Sequence, residues 1–92
     1  MNFRLNSLKK FYLSEGTMVT VKCFAALREQ VGFATREVIC EAGDDAAAIW
    51  RKASDLPLDA HILVAINQQY AELGSAVTDG DEVAFFPPVT GG

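Results

Sequence analysis

The order of hydrophobic patterns predicts an α+β domain in which one main helix packs on a mixed sheet of about five strands. Three observations carry this expectation. Apolar and polar residues alternate through residues 19–25 and again through 35–40; an alanine-rich segment at 44–53 has acid at its start and base near its end; and two further apolar runs, 62–66 and Glu82–Phe86, follow it.

In the first strand Val19, Val21 and Cys23 share one face while Thr20, Lys22 and Phe24 share the other, the period of a half-buried strand. Residues 26–31 form a helical turn that brings Leu27 and Val31 together at i, i+4, and Gly32 ends it as a left-handed cap. Residues 35–40 then pair back on the first strand with Val38 and Cys40 inward. Asp44 and Asp45 precede Ala46-Ala47-Ala48-Ile49-Trp50-Arg51-Lys52-Ala53, a helix of about three turns whose stripe of Ala46, Ile49, Trp50 and Ala53 faces the sheet. Pro57 prevents its continuation past Leu56.

Residues 62–66 suit a central strand buried on both sides or an inner strand of a small sheet. A right-handed crossover through the helix predicts that this third long strand runs parallel to the first. Asn67-Gln68-Gln69 turns the chain, residues 70–73 form a brief edge strand, and Thr78-Asp79-Gly80-Asp81 is a strong turn before the last strand. The order strand, strand, helix, strand, short strand, strand is that of the β-grasp, or ubiquitin-like, fold. A ferredoxin-like arrangement needs two comparable helices, and only one segment has the length.

Ninety-two residues, half of them apolar and 22% charged, suffice for one soluble globular domain. The domain is expected at residues 18–86, beginning at the second methionine, Met18, with an extended tail at 87–92. Residues 1–17 mix apolar and basic side chains without clean periodicity; a tag remnant, a misassigned start and a genuine arm all fit. No apolar run reaches the roughly 18 residues that cross a bilayer, and no cleavable leader is evident, which predicts a cytoplasmic protein.

The net charge of −4 divides unevenly: Arg4, Lys9, Lys10 and Glu15 give +2 in residues 1–17 and leave −6 on residues 18–92. An acidic body disfavours nucleic acid and anionic membranes as partners and favours a protein with a basic docking surface. The two cysteines, Cys23 and Cys40, lack metal-ligand spacing and read as buried thiols, so no metal site is expected.

Conventional catalytic equipment is missing. His61 stands alone at the mouth of a strand, and Asp79, Asp81 and Glu82 read as turn carboxylates rather than an acid/base pair. Glycines that would cradle phosphate are absent as a motif. The terminus differs: Phe85-Phe86-Pro87-Pro88-Val89-Thr90-Gly91-Gly92 stops a strand at two prolines and ends on two glycines. At a glycine usage of about 7%, terminal Gly-Gly arises by chance in roughly one chain in 200. Pro87 and Pro88 hold a tail extended and remove donors that would pair with it, and Gly91 and Gly92 present a carboxylate that a narrow active site on another protein could admit.

Two blocks, 24–32 (Phe-Ala-Ala-Leu-Arg-Glu-Gln-Val-Gly) and 78–92 (Thr-Asp-Gly-Asp-Glu-Val-Ala-Phe-Phe-Pro-Pro-Val-Thr-Gly-Gly), make residues 18–92 resemble the sulfur-carrying small subunits of molybdopterin synthase. Terminal Gly-Gly alone is shared with ubiquitin-related modifiers; the longer terminal block points to the molybdopterin branch. The segment between helix and third strand, 54–61, is shorter than is common there. The resemblance implies that an adenylating enzyme related to ubiquitin activators uses ATP to activate the Gly92 carboxylate. It also implies that a thiocarboxylate forms there, and that the tail of Val89, Thr90, Gly91 and Gly92 enters a large synthase subunit, which holds the active site and sulfurates cyclic pyranopterin monophosphate. This chain would itself bind no cofactor. Phe86, Pro87 and Pro88, with Arg28 in the other block, are the implied contacts, Phe86 because it is exposed if alternation turns Val83 and Phe85 inward; the other reading is that Phe86 packs on its own sheet. Arg28 reads equally well as a solvated helix residue. The alternative is a modifier joined to lysines through the same Gly92.

Overall fold

The computed structural model describes residues 17–88. Five strands, β1 (Met18–Cys23), β2 (Thr35–Ile39), β3 (Leu63–Ile66), β4 (Gln69–Ala71) and β5 (Glu82–Phe86), form one mixed sheet in the order β2-β1-β5-β3-β4. Two helices, α1 (Ala25–Val31) and α2 (Ala46–Ala53), complete the domain. This is the β-grasp arrangement. β1 pairs antiparallel with β2 and parallel with β5, so the C-terminal ends of β1 and β5 lie together, with Cys23 beside Phe85.

One orientation differs from expectation. β3 pairs antiparallel with β5 and therefore runs antiparallel to β1, not parallel to it. The crossover through α2 does join parallel strands, but they are β2 and β3, separated in the sheet by β1 and β5. The last strand of the chain supplies the parallel neighbour of the first.

Val19, Val21, Cys23, Val83 and Phe85 point inward and are at most 2% exposed, as the period of two requires. The α2 stripe of Ala46, Ile49, Trp50 and Ala53 is buried against them, and the Trp50 indole meets the Phe85 ring edge-on at 5.0 Å. Burial of each such large side chain contributes about 2–3 kcal/mol. Asp45 caps α2, its carboxylate accepting from the Ala48 N–H at 2.8 Å, and the carbonyls of Ser75 and Leu73 accept from Ala46 and Ala47.

α2 is eight residues, nearer two turns than three. Arg36 donates to the Ala53 carbonyl at 2.9 Å and the Trp50 indole N–H donates to the Leu56 carbonyl at 3.2 Å, so the chain is drawn back over the helix end. α1 is a full seven-residue helix closed by Gly32 at φ 87°, where a side chain would be strained. With helices this similar in length, strand order rather than helix size excludes the ferredoxin-like fold.

The predicted turn at 78–81 also pins the start of β1. Asp81 accepts from the Thr78 N–H at 2.8 Å, Asp79 from the Met18 N–H at 3.0 Å, and the Gly80 N–H donates to the Met18 carbonyl. The edge strand falls at Gln69–Ala71 rather than 70–73, because Asn67 and Gln68, both at positive φ, close a two-residue hairpin immediately after β3. Asn67 further ties that hairpin to Asp81 and to the Glu82 N–H.

Candidate functional site

The end of β5 is where the domain hands over to its tail. Pro87 and Pro88, the last described residues, are half-buried, and Val89, Thr90, Gly91 and Gly92 lie outside the described residues. Three of the expected contact residues, Phe86, Pro87 and Pro88, are thus together at the C-terminal ends of β1 and β5.

Among the described residues no helix covers one face of the sheet, and Phe86 lies on that face. It is half-buried rather than exposed, because the Phe24 ring stacks on it, centroids 4.9 Å apart and planes 8° from parallel. Phe24 is itself 40% exposed. Leu63 stands opposite Phe86 and Ala65 opposite Ala84, and Tyr70, 82% exposed, follows beside Ala65 on β4. A shallow groove of about 400 Å³ runs between Phe24, Phe86 and Tyr70, edged by the Lys22–Glu82 ion pair at 3.5 Å. Both charges are solvated, and the pair contributes well under 1 kcal/mol. Such a strip, apolar at the centre and charged at one margin, has the composition of a protein-binding surface.

On the helical side of the sheet a second groove, about 300 Å³, is lined by Leu27, Gln30, Trp50 and Leu56 together with Pro87 and Pro88. The root of the tail therefore lies between an aromatic stack on one face and this groove on the other. Where β1 turns into α1, Ala25 adopts φ 55°, a left-handed conformation that costs an alanine about 1 kcal/mol. It occurs immediately after Phe24, whose N–H donates to the Phe85 carbonyl at 3.2 Å and whose carbonyl accepts from Leu27 and Arg28.

Arg28 is exposed on α1, and its backbone carbonyl accepts the Gly32 N–H; its side chain makes no salt bridge among the described residues. The structure does not bring it into the Phe24–Phe86 cluster. Sequence reasoning missed Phe24 and Tyr70 as members of the site. Alternation had already placed Phe24 outward, but only the parallel register of β1 with β5 sets its ring against Phe86.

Neither cysteine is set up as a nucleophile. Burial pushes the Cys23 thiol up to about 11, and burial, reinforced by Asp44, raises that of Cys40. Cys40 donates to the Val77 carbonyl at 3.4 Å. His61 is exposed, 3.3 Å from the Asp59 carboxylate. Asp81 is held below the usual carboxylate range by the Thr78 N–H and then by Asn67, a turn carboxylate kept ionised by its own loop. Among the described residues no group of three or more His, Cys, Asp or Glu side chains is placed to hold a metal, and no helix is long and apolar enough to cross a membrane.

Known proteins align with this chain over the same region. The molybdopterin synthase sulfur carrier subunit of Haemophilus influenzae is 43% identical over 88 residues, spanning 82% of this chain and all of that protein. Its namesake from Escherichia coli is 39% identical over 84 residues with the same coverage. Among solved structures, the small archaeal modifier protein 1 of Haloferax volcanii superposes with a TM-score of 0.67 at 31% identity, covering 80% of this chain and all of that one. A putative molybdopterin converting factor subunit 1 from Pyrococcus furiosus, 24% identical with a TM-score of 0.64 over 79% of this chain and 99% of its own, shares the fold. The profile of the ThiS family matches residues 21–92, from the second half of β1 through the terminal Gly-Gly, and the chain belongs to that family.

Proposed function

We propose that this chain is the sulfur-carrying small subunit of molybdopterin synthase and that its reactive atom is the carboxyl carbon of Gly92. The observation that carries the reading is the end-to-end match to two sulfur carrier subunits of that synthase, together with a tail that leaves the sheet through two prolines and ends on two glycines. A small subunit implies a large one as its partner.

The chemistry follows from what a carboxylate lacks. Its oxygen is a poor leaving group, so an adenylating enzyme joins it to the α-phosphate of ATP, releasing pyrophosphate and leaving an acyl adenylate. Sulfide-level sulfur, released by its donor, attacks the Gly92 carbonyl carbon, the C–S bond forms as the C–O bond to AMP breaks, and loss of the proton leaves a thiocarboxylate. In the large subunit that sulfur passes to cyclic pyranopterin monophosphate, and water restores the carboxylate; two rounds supply the two sulfurs of a dithiolene. The pterin-binding and proton-transfer groups belong to the large subunit, and ATP is consumed on the activating enzyme, so this chain needs no cofactor of its own. The groove between Phe24, Phe86 and Tyr70 is the natural docking strip, because it adjoins the root of the tail and carries its apolar area.

The likeness to an archaeal modifier protein supports a second reading, in which the same activated Gly92 forms isopeptide bonds with lysines. An intact mass of the protein from its native cell separates the two: one terminal oxygen replaced by sulfur, with no lysine conjugates, is expected, whereas conjugates without a thiocarboxylate establish the modifier. Adding one residue after Gly92, or deleting Gly92, is expected to abolish pterin sulfuration with the fold intact. Deletion shortens the reach by about 3.5 Å, and misplacement by even about 1 Å can cost a hundredfold in rate. An extended protein that still donates sulfur, with its extra residue shown untrimmed by mass, refutes the assignment of Gly92.

A further inference from the structure

We infer that Phe24 is a positioning residue for the tail: its ring, stacked on Phe86, holds the root of the tail so that Pro87 and Pro88 keep their place in the wall of the groove on the opposite face. The inference rests on the carrier reading for its consequence but not for its geometry. A parallel stack at 4.9 Å and 8° locks the last residue of β5 from the helix-free side. Pro87 and Pro88 line the groove of Leu27, Trp50 and Leu56 from the other. Neither contact alone defines a direction for the chain; the two on opposite faces do.

The backbone at Phe24 is arranged to place that ring. Its N–H is bonded to the Phe85 carbonyl, its carbonyl accepts from the first turn of α1, and the next residue, Ala25, is held at φ 55°. Unfavourable backbone conformations persist where their surroundings over-determine them, and they concentrate where a side chain must be aimed. Here the corner aims an aromatic ring at the residue from which the tail departs. Four residues follow Pro88, a reach of about 13 Å when extended. A swing at the root is multiplied along that reach, so Gly92 can be delivered within the tolerance of a reaction only if the root is fixed.

Removing the ring leaves the backbone bonds of residue 24 in place, so Phe24→Ala isolates the stack. The full chain, converted to the thiocarboxylate, is mixed with large subunit from below to far above its half-saturating concentration, and the single-turnover rate of sulfur transfer is read. Phe24→Ala is expected to lower the saturating rate about tenfold or more, beyond any change in the concentration required. Phe24→Tyr, which keeps a flat ring, is expected to restore the rate, and Phe24→Leu to recover binding but not rate. A variant that reaches the native rate once the large subunit saturates it reduces Phe24 to a docking contact and overturns the inference. In the isolated protein, the chemical shifts of Pro87 and Pro88 and their NOEs to the residues lining that groove are expected to differ between the native chain and Phe24→Ala. Unchanged shifts and NOEs in the variant overturn the inference whether or not the chain carries sulfur; a native chain that cannot be loaded with sulfur refutes the carrier reading instead. Should Phe24→Ala not fold, the comparison of Tyr with Leu decides the matter.

Discussion

A protein that carries sulfur and contains two cysteines invites the idea that the sulfur travels through them, and the double substitution Cys23→Ala with Cys40→Ala tests it. Both side chains are core: Cys23 is 2% and Cys40 5% exposed. With its thiol at about 11, Cys23 has about one molecule in three thousand as thiolate at pH 7.5, and the thiolate is the nucleophile. Each truncation removes one buried sulfur at about 1 kcal/mol, and the loss of the Cys40 bond to the Val77 carbonyl adds up to about 1 kcal/mol. The total, about 2–3 kcal/mol, lowers Tm by about 10–20 °C in a domain of this size.

The same thiol sets a pH dependence. Because folding raises the Cys23 value from 9.0 to about 11, its stabilisation is complete below pH 9 and is lost as pH climbs toward 11. At pH 10 that amounts to about 1.4 kcal/mol relative to pH 7.5, a loss the double variant should not show. Urea unfolding at the two pH values, together with thiocarboxylate loading at pH 7.5, measures all three quantities. A folded double variant that cannot be loaded would mean that the carrier chemistry has been assigned to the wrong atoms.

Phe86→Ala should weaken binding to the large subunit by about 2 kcal/mol, roughly thirtyfold in titration calorimetry, and because the ring is stacked it should also lower Tm by several degrees; unchanged affinity dismisses it as a contact. Asp45→Ala removes the cap of α2 and should cost about 1 kcal/mol in urea unfolding with sulfur transfer at native rate, since the helix start is remote from the tail; a lost rate with normal stability would tie α2 to the chemistry. Deleting residues 1–17 should leave sulfur transfer intact at a stability cost of about 1 kcal/mol, the worth of the bond in which the Thr17 carbonyl accepts from Cys40; loss of folding would make the segment part of the domain.

Local chemistry made much of the fold legible. Thr78-Asp79-Gly80-Asp81 could be recognised as a turn because Asp81 folds back onto the Thr78 N–H and hydroxyl and Gly80 takes the positive φ, and the α2 stripe because burial repeats at the helical period. What failed depended on distant partners. The orientation of β3 follows from β5 entering the sheet between it and β1, and the end of α2 is held by two bonds, Arg36 donating to the Ala53 carbonyl and the Trp50 indole to the Leu56 carbonyl. The site divided in the same way. The terminal motif stands in consecutive residues, whereas the Phe24–Phe86 stack joins residues far apart in the chain through a strand register that no local pattern specifies.

The division of labour in the molecule has a physical origin. Among the described residues no polar or charged side chain is buried; the carboxylates of Asp44, Asp45, Asp79 and Asp81 are engaged with loop amides, helix ends and Lys52. Groups used in this way hold backbone and stay ionised, as the lowered values of Asp44, from the Glu41 N–H and then Lys52, and of Asp81 illustrate. None is left in the low-dielectric setting that would tune it for proton transfer near the root of the tail. On the carrier reading, such a domain gains its reactivity by presenting Gly92 to another protein's active site. On that reading its structure acts on the reaction through the proposed docking strip of Phe24, Phe86 and Tyr70 and through the placement of Pro87 and Pro88, from which the last four residues follow.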